Sequence, residues 1–140
     1  MFRLVDSYRD MIKVFIVRGI VFMEEQRVPF TEEIDDDEFS SMHVLGEIDG
    51  EPVAAGRIRY LGDTAKLERL AIRSRYRSQG YGHALVDYMM DVARKNGIHK
   101  FLIHAQTHLA DFYGTHGFHV QGDPFEEAGI LHFRMVRSEM

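Results

Sequence analysis

Cysteine and tryptophan are both missing from these 140 residues, and only three prolines are present. Without cysteine there is no disulfide framework, no thiolate nucleophile and no sulfur-based metal site. No apolar run approaches the ~20 residues that a bilayer span needs; Arg18 and Glu24 interrupt the longest apolar region. Positive charge is in the minority, with 17 Lys and Arg against 22 Asp and Glu and a net charge of -5. The one basic cluster lies between residues 69 and 77, too short a stripe for the phosphate contacts on which nucleic-acid binding depends. The start, Met1-Phe2-Arg3-Leu4-Val5-Asp6, has no long apolar core of a signal peptide. The expectation is a cytoplasmic protein with neither nucleic acid nor membrane as partner.

What is present is ordinary globular material, 45% hydrophobic and 28% charged, and enough of it for one domain spanning 1–140. Its organising stretch is Leu67 to Gly82. Leu67, Leu70, Ala71 and Ile72 form a short apolar run suited to a buried strand. An arginine-rich turn follows, then Gly80 and Gly82, and then a helix over His83–Asn96 stopped by Gly97. Strand, glycine-bearing turn and helix N-terminus in that order make an anion site, because free amides point outward and the helix dipole favours negative charge. The dinucleotide fingerprint fails, since Leu85 stands where its third glycine belongs, and no Gly-Lys-Ser/Thr follows to make a P-loop.

The remaining pattern fills out the chain. Phe2–Val5 reads as a strand, and Asp6 or Ser7 caps a long helix over Tyr8–Gln26 whose Val14, Val17 and Val21 form one apolar row. Arg18 and Glu25 fall on that row seven residues apart, either as a partly covered ion pair or as part of a substrate wall. Pro29 ends the helix. Thr31–Glu38 carries six carboxylates in eight residues, a composition usual in a solvated loop or helix start. His43–Ile48 and Pro52–Tyr60 read as strands joined at Asp49-Gly50. Phe101–Ile103, Phe118–Val120 and Leu131–Val136 are further strands, with a short helix at Leu109–Thr115. The central strand and Phe101–Ile103 flank a helix, so they are parallel neighbours across a right-handed crossover.

Arg77-x-x-Gly80-x-Gly82 behind an apolar strand resembles the pyrophosphate-binding motif of the GNAT N-acetyltransferase superfamily. Ala110-Asp111-Phe112-Tyr113-Gly114-Thr115-His116-Gly117-Phe118 resembles that family's later Phe-Tyr…Gly-Phe segment. Arg18-x-x-Val21-Phe22-x-x-Glu25-Gln26-x-Val28-Pro29, Glu32-Glu33-Ile34-Asp35 and Gly129-Ile130-x-His132 are similar to its small single-domain bacterial branch, the YjcF-like proteins. The resemblance spans nearly the whole chain. It implies an α/β (α+β) acyl-CoA N-acyltransferase fold: a mixed, mostly antiparallel sheet of about six to seven strands, a central parallel pair that splays apart, and about four helices.

It also implies acetyl-CoA as donor, an amine as acceptor, direct transfer in a ternary complex, and a homodimer as a fair expectation. By resemblance the backbone of Leu70, Ala71 and Ile72 meets the thioester and pantetheine, with Leu70 N–H as oxyanion donor at the bulge the family places there. Arg77, Ser78, Gln79, Gly80, Tyr81 and Gly82 hold the pyrophosphate, with Phe112 beside them. Arg73 and Arg75 either reach the ribose phosphate or serve surface ion pairs. Tyr113 matches the family's general acid. Glu68 is either a base, because strand parity puts it on the face of Leu70, or one half of a structural ion pair with an arginine. His104, where related sequences often have asparagine, is a second candidate able to titrate near neutrality. Arg18, Phe22, Glu25, Glu33 and Asp35 are expected on the acceptor wall, the carboxylates drawing in a cationic amine. His132 reads as structural. His104-x-x-x-His108 and His116-x-x-His119 straddle different elements, so no metal is expected. A catalytically silent acyl-CoA-binding or interaction module would keep the same cleft, and turnover separates the two.

Overall fold

The computed structural model describes all 140 residues. Its frame is one eight-stranded sheet in the order β1 (Phe2–Leu4), β2 (Met42–Ile48), β3 (Glu51–Leu61), β4 (Thr64–Ile72), β5 (Lys100–Gln106), β8 (Ile130–Ser138), β6 (His119–Val120), with β7 (Phe125–Glu127) also pairing with β8. Every pairing is antiparallel except β4 with β5. Asp49 and Gly50 both take positive φ, 50° and 81°, as the tight β2–β3 hairpin requires. Helix α3 (Tyr81–Lys95) carries the crossover between the parallel strands.

That parallel pair is joined only at its beginning. Thr64, Ala65 and Lys66 face Lys100, Phe101 and Leu102, and there the pairing stops. β4 continues to Ile72 and β5 to Gln106 with no ladder between them. The expected splay is therefore present.

Two cores cover the two faces. On one, α3 lays Leu85, Val86, Met89 and Met90 against Val44, Ile58, Ala65, Leu67 and Ile103. The approach is close: a Cβ on Gly56 would sit 2.6 Å from the Met89 sulfur. On the other, Val14, Val17 and Val21 pack on Leu45, Ala55 and Ala71.

The helix expected over Tyr8–Gln26 is two structures. Helix α1 (Tyr8–Arg18) is capped by the Ser7 hydroxyl, and Gly19–Glu25 continues it as a π-helix. The wider turn breaks the seven-residue alignment of Arg18 with Glu25. No Arg18–Glu25 ion pair forms; Arg18 is buried between Glu33 (2.7 Å) and Glu38 (2.8 Å), while Glu25 pairs with Arg77 at 2.9 Å.

The acidic run corrects its expectation too. The run does begin as a helix, α2 (Phe30–Glu33), but it is not solvated: it and the turn after it fold inward, burying Glu33 and covering most of the Glu38 side chain. Arg57, itself buried, holds Asp35 at 2.7 Å, Glu38 at 3.0 Å and Glu68 at 2.8 Å, and Arg69 holds Glu33 at 2.9 Å. Burial opposes ionisation of Asp35 and Glu38, but hydrogen bonds from Arg57 and Arg18 outweigh it and pull both carboxyls down to about 2. Beside them His43 donates Nε2–H to the Glu38 carbonyl, and burial depresses its pKa.

These groups act in one direction. A carboxyl or imidazole whose folded pKa is depressed binds protons more readily when unfolded, so acidification favours unfolding. Stability measured by urea titration should decline first below about pH 6.5 as His43 is charged in the unfolded chain, then more steeply from about 4 towards 2. In His43→Gln the first decline should shrink to the part due to His116, whose pKa burial also depresses, and the second should remain. A flat profile from pH 7 to 3 contradicts the network.

Candidate active site

Two cavities flank the splay, of about 510 and 500 Å³. The smaller lies on the α3 side and is bordered by Leu70, Ala71 and Ile72, the turn residues Arg77, Ser78, Gly80 and Gly82, and Phe112 and Tyr113. The turn has an anion-binding shape. Ser78 and Gly80 take positive φ (61° and 86°), and Gly80 is the N-cap of the 15-residue α3. Successive amides in such a turn form a concave nest of donors, and the first N–H groups of the helix have no intrahelical partner. A Cβ on Gly80 would meet nothing, so the glycine answers a backbone need and leaves an open approach.

Arg77 enters this cavity already engaged, donating to the Ile72 carbonyl at 2.8 Å and pairing with Glu25. Gln79 and Tyr81 belong to the same turn without lining the cavity. Arg73 donates to the Pro52 carbonyl at 3.0 Å and Arg75 lies over the Tyr76 ring, and neither lines either of these two cavities.

The larger cavity lies on the opposite side. Phe22, Glu33, Asp35, Glu68, Leu70, His104 and Tyr113 border it, as do Arg57, Arg59, Lys66 and Arg69. Arg18 and Glu25, expected on this wall, line neither cavity, because the π-helix turns one towards Arg77 and the acidic turn covers the other. Glu33 and Asp35 are on the wall but matched by Arg69 and Arg57, so they offer little free charge to an incoming amine. The two cavities share Gln26, Leu70, Gln106, Leu109 and Tyr113. A hydrogen bond of 2.8 Å from Gln106 Nε2 to Gln26 Oε1 bridges that junction.

Strand β4 carries a bulge here. Ala55 faces Ala71 while Arg57 faces Glu68, so Arg69 and Leu70 together oppose Gly56, and Arg69 takes φ 54°. The extra residue reverses the parity on which Glu68 was matched to Leu70. Leu70 packs on the α3 core with Leu67, whereas Glu68 faces Arg57 on the other side of the sheet. Glu68 is held by Arg57 at 2.8 Å, Arg59 at 3.0 Å and Lys66 at 3.2 Å. Burial raises its pKa, but these cations together outweigh burial and leave it lowered.

Tyr113 sits on helix α4 (Ala110–Gly114), 6% exposed, edge-on to Phe112 at 5.0 Å and to Phe118 at 6.3 Å. Burial pushes its phenol up to about 12, so it holds its proton throughout the physiological range.

His104 and His108 face different cavities. His104 Nδ1 lies 3.1 Å from Glu127 Oε1, and His132 donates Nδ1–H to the Ile130 carbonyl at 2.7 Å. Sequence reasoning missed Glu127, because Phe125–Glu127 is too short to show a strand period. The available signal was Ala128-Gly129, a two-residue turn with both φ positive that folds Glu127 back over β8.

Relatives agree with this architecture. A family model described as an acetyltransferase (GNAT) domain matches residues 19–139. The uncharacterized N-acetyltransferase YjcF of Bacillus subtilis is 40% identical over 125 residues, 88% of this chain and 89% of that one. The crystal structure of Escherichia coli ElaA superposes with a TM-score of 0.89 at 25% identity over 99% of each chain. An acyl-CoA N-acyltransferase from Pseudomonas aeruginosa gives 0.90 at 24% identity, again over 99% of each, and shows the shared fold. With the splayed parallel pair and the glycine turn that sequence and fold have in common, the chain belongs to the GNAT family of N-acetyltransferases.

Proposed function

We propose that this protein transfers the acetyl group of acetyl-CoA directly to a primary amine, both substrates being bound at once. The observation that carries the reading is the unladdered edge of β4 from Leu67 to Ile72, opening between the glycine turn and Tyr113. An extended pantetheine arm satisfies such an edge as another strand would. Its pyrophosphate meets the amides of Ser78 to Gly82 at the start of α3. Arg77 braces that turn through Ile72 and gives up Glu25 when it turns to phosphate.

In this reading the acceptor enters from the larger cavity, and the reaction occurs where the two cavities meet. Leu70 N–H, at the bulge, stabilises negative charge on the thioester oxygen. Tyr113 gives its proton to the departing sulfur as the carbon–sulfur bond breaks. The chain has no cysteine to carry an acetyl group between the two sites, which favours direct attack by the amine.

The test is release of free CoA from acetyl-CoA over a panel comprising an aralkyl amine, a polyamine, an aminosugar, a dipeptide and a lysine-bearing peptide. At least one amine should support turnover, with intersecting double-reciprocal lines. Gly80→Leu should weaken acetyl-CoA binding at least tenfold by calorimetry, about 1.4 kcal/mol, while circular dichroism stays unchanged. Parallel lines would overturn direct transfer. Undiminished affinity in Gly80→Leu would overturn the phosphate assignment, and no turnover with any amine would favour a silent acyl-CoA-binding module.

A further inference from the structure

We propose that His104, oriented by Glu127, is the base that takes the proton from the acceptor amine. The inference rests on the acetyl-transfer reading above and names the group that reading leaves open. Among the carboxylates on the larger cavity's wall, Glu68 and Glu127 differ in kind. Glu68 is satisfied by three cations, and a carboxylate so held has little affinity for a proton. Glu127 is engaged mainly with an imidazole.

The geometry fixes the tautomer. Glu127 is held ionised first by its hydrogen bond with His104, against the opposing effect of burial. An ionised carboxylate only accepts, so His104 donates Nδ1–H at 3.1 Å and carries its lone pair on Nε2. Phe125 meets the ring edge-on at 4.9 Å and limits its rotation. β7 therefore supplies both restraints, and the Ala128-Gly129 turn sets their position. Glu127 is a positioning residue; His104 is the one that meets substrate.

The other charged groups around the pair are accounted for. His132, on β8, keeps Nδ1–H on the Ile130 carbonyl, and its Nε2 is 3.9 Å from Glu127 Oε2, beyond hydrogen-bond reach. Arg134, the cross-strand partner of His104, is tied to Gln121 at 2.9 Å. Lys66, on β4, is 3.2 Å from Glu68, and Arg59 also serves Glu68.

The step balances without another reactant. The amine nitrogen bonds to the acetyl carbon, the carbon–sulfur bond breaks, and the nitrogen's proton goes to His104 Nε2. Tyr113 protonates the sulfur, and the imidazolium afterwards returns a proton to the phenolate through solvent. Glu127 keeps its charge and stabilises the imidazolium.

The experiment compares kcat/KM against pH for wild type, His104→Asn, Glu127→Gln, Glu127→Asp and Glu68→Gln, using the panel amine with the fastest wild-type rate. The wild type should show an acidic limb. His104→Asn should abolish that limb and lower kcat about 10²-fold, with unchanged calorimetric affinity for CoA. Glu127→Gln should move the limb to lower pH and cost about tenfold, and Glu127→Asp should restore part of both. Nitrogen NMR of the imidazoles supplies a readout that needs no acceptor, with His104 in the Nδ1–H tautomer in wild type and losing that preference in Glu127→Gln. An acidic limb that survives in His104→Asn, or disappears instead in Glu68→Gln, overturns the proposal. So does an Nε2–H tautomer in wild type. Should acetyl-CoA bind but no amine turn over, the transfer reading fails by itself, and the NMR result still decides the orientation.

Discussion

Arg57→Leu should cost 3–5 kcal/mol, the range for breaking a buried ion pair from one side, and should lower the urea midpoint accordingly. Its guanidinium is 1% exposed and bridges Asp35, Glu38 and Glu68, carboxylates from two separate segments. Leucine fills much of the volume but leaves converging negative charges in a site shielded from water. A domain of this size holds only about 5–15 kcal/mol in reserve, so the loss is a large share. The pH dependence separates charge from packing. Wild type loses stability as pH falls from about 4 to about 2, because Asp35 and Glu38 resist protonation in the folded state. The variant, without that cation, protonates Asp35 more readily while Arg18 still holds Glu38, so the difference between the two should shrink as pH falls. A deficit that is constant from pH 7 to 3 would make Arg57 a packing residue instead.

Tyr113→Phe should reduce kcat by about 10²–10³-fold, within the range for losing a general acid, with no change in the affinity for CoA. The substitution removes one oxygen and keeps the ring against Phe112 and Phe118. Burial holds the phenol near 12, so the wild-type enzyme should show no basic limb from this group below about pH 10. Rapid mixing with acetyl-CoA and the best panel amine, alongside calorimetry, separates the two effects. An unchanged kcat would remove Tyr113 as the proton donor. A matching loss of CoA affinity would make it a packing residue of the cleft.

Much of the frame was legible because it rests on local rules. Apolar runs gave the strands, Asp49-Gly50 gave the hairpin, and the apolar stripe with Gly97 gave α3. The splay followed from family resemblance alone, since no residue pattern announces where a ladder stops. Three features of the site escaped for reasons of physics. The π-helix after Arg18 inserts a wider turn into a sequence that still reads as regular helix, which moved Glu25 away from Arg18. The bulge at Arg69 and Leu70 is expected at Leu70 from the family resemblance, but the parity count leaves out its extra residue, which reverses the side on which Glu68 lies. The acidic run looked solvated because its partners, Arg18, Arg57 and Arg69, come from distant segments. Each error moved a charged residue to a different neighbour.

The most direct test is a crystal structure with CoA. The account predicts the pantetheine lying along β4 with main-chain hydrogen bonds between Leu70 and Ile72, the diphosphate on the amides of Ser78 to Gly82, and the sulfur beside the Tyr113 hydroxyl. Coenzyme bound anywhere outside the splay, or within it with the diphosphate away from that turn, contradicts it.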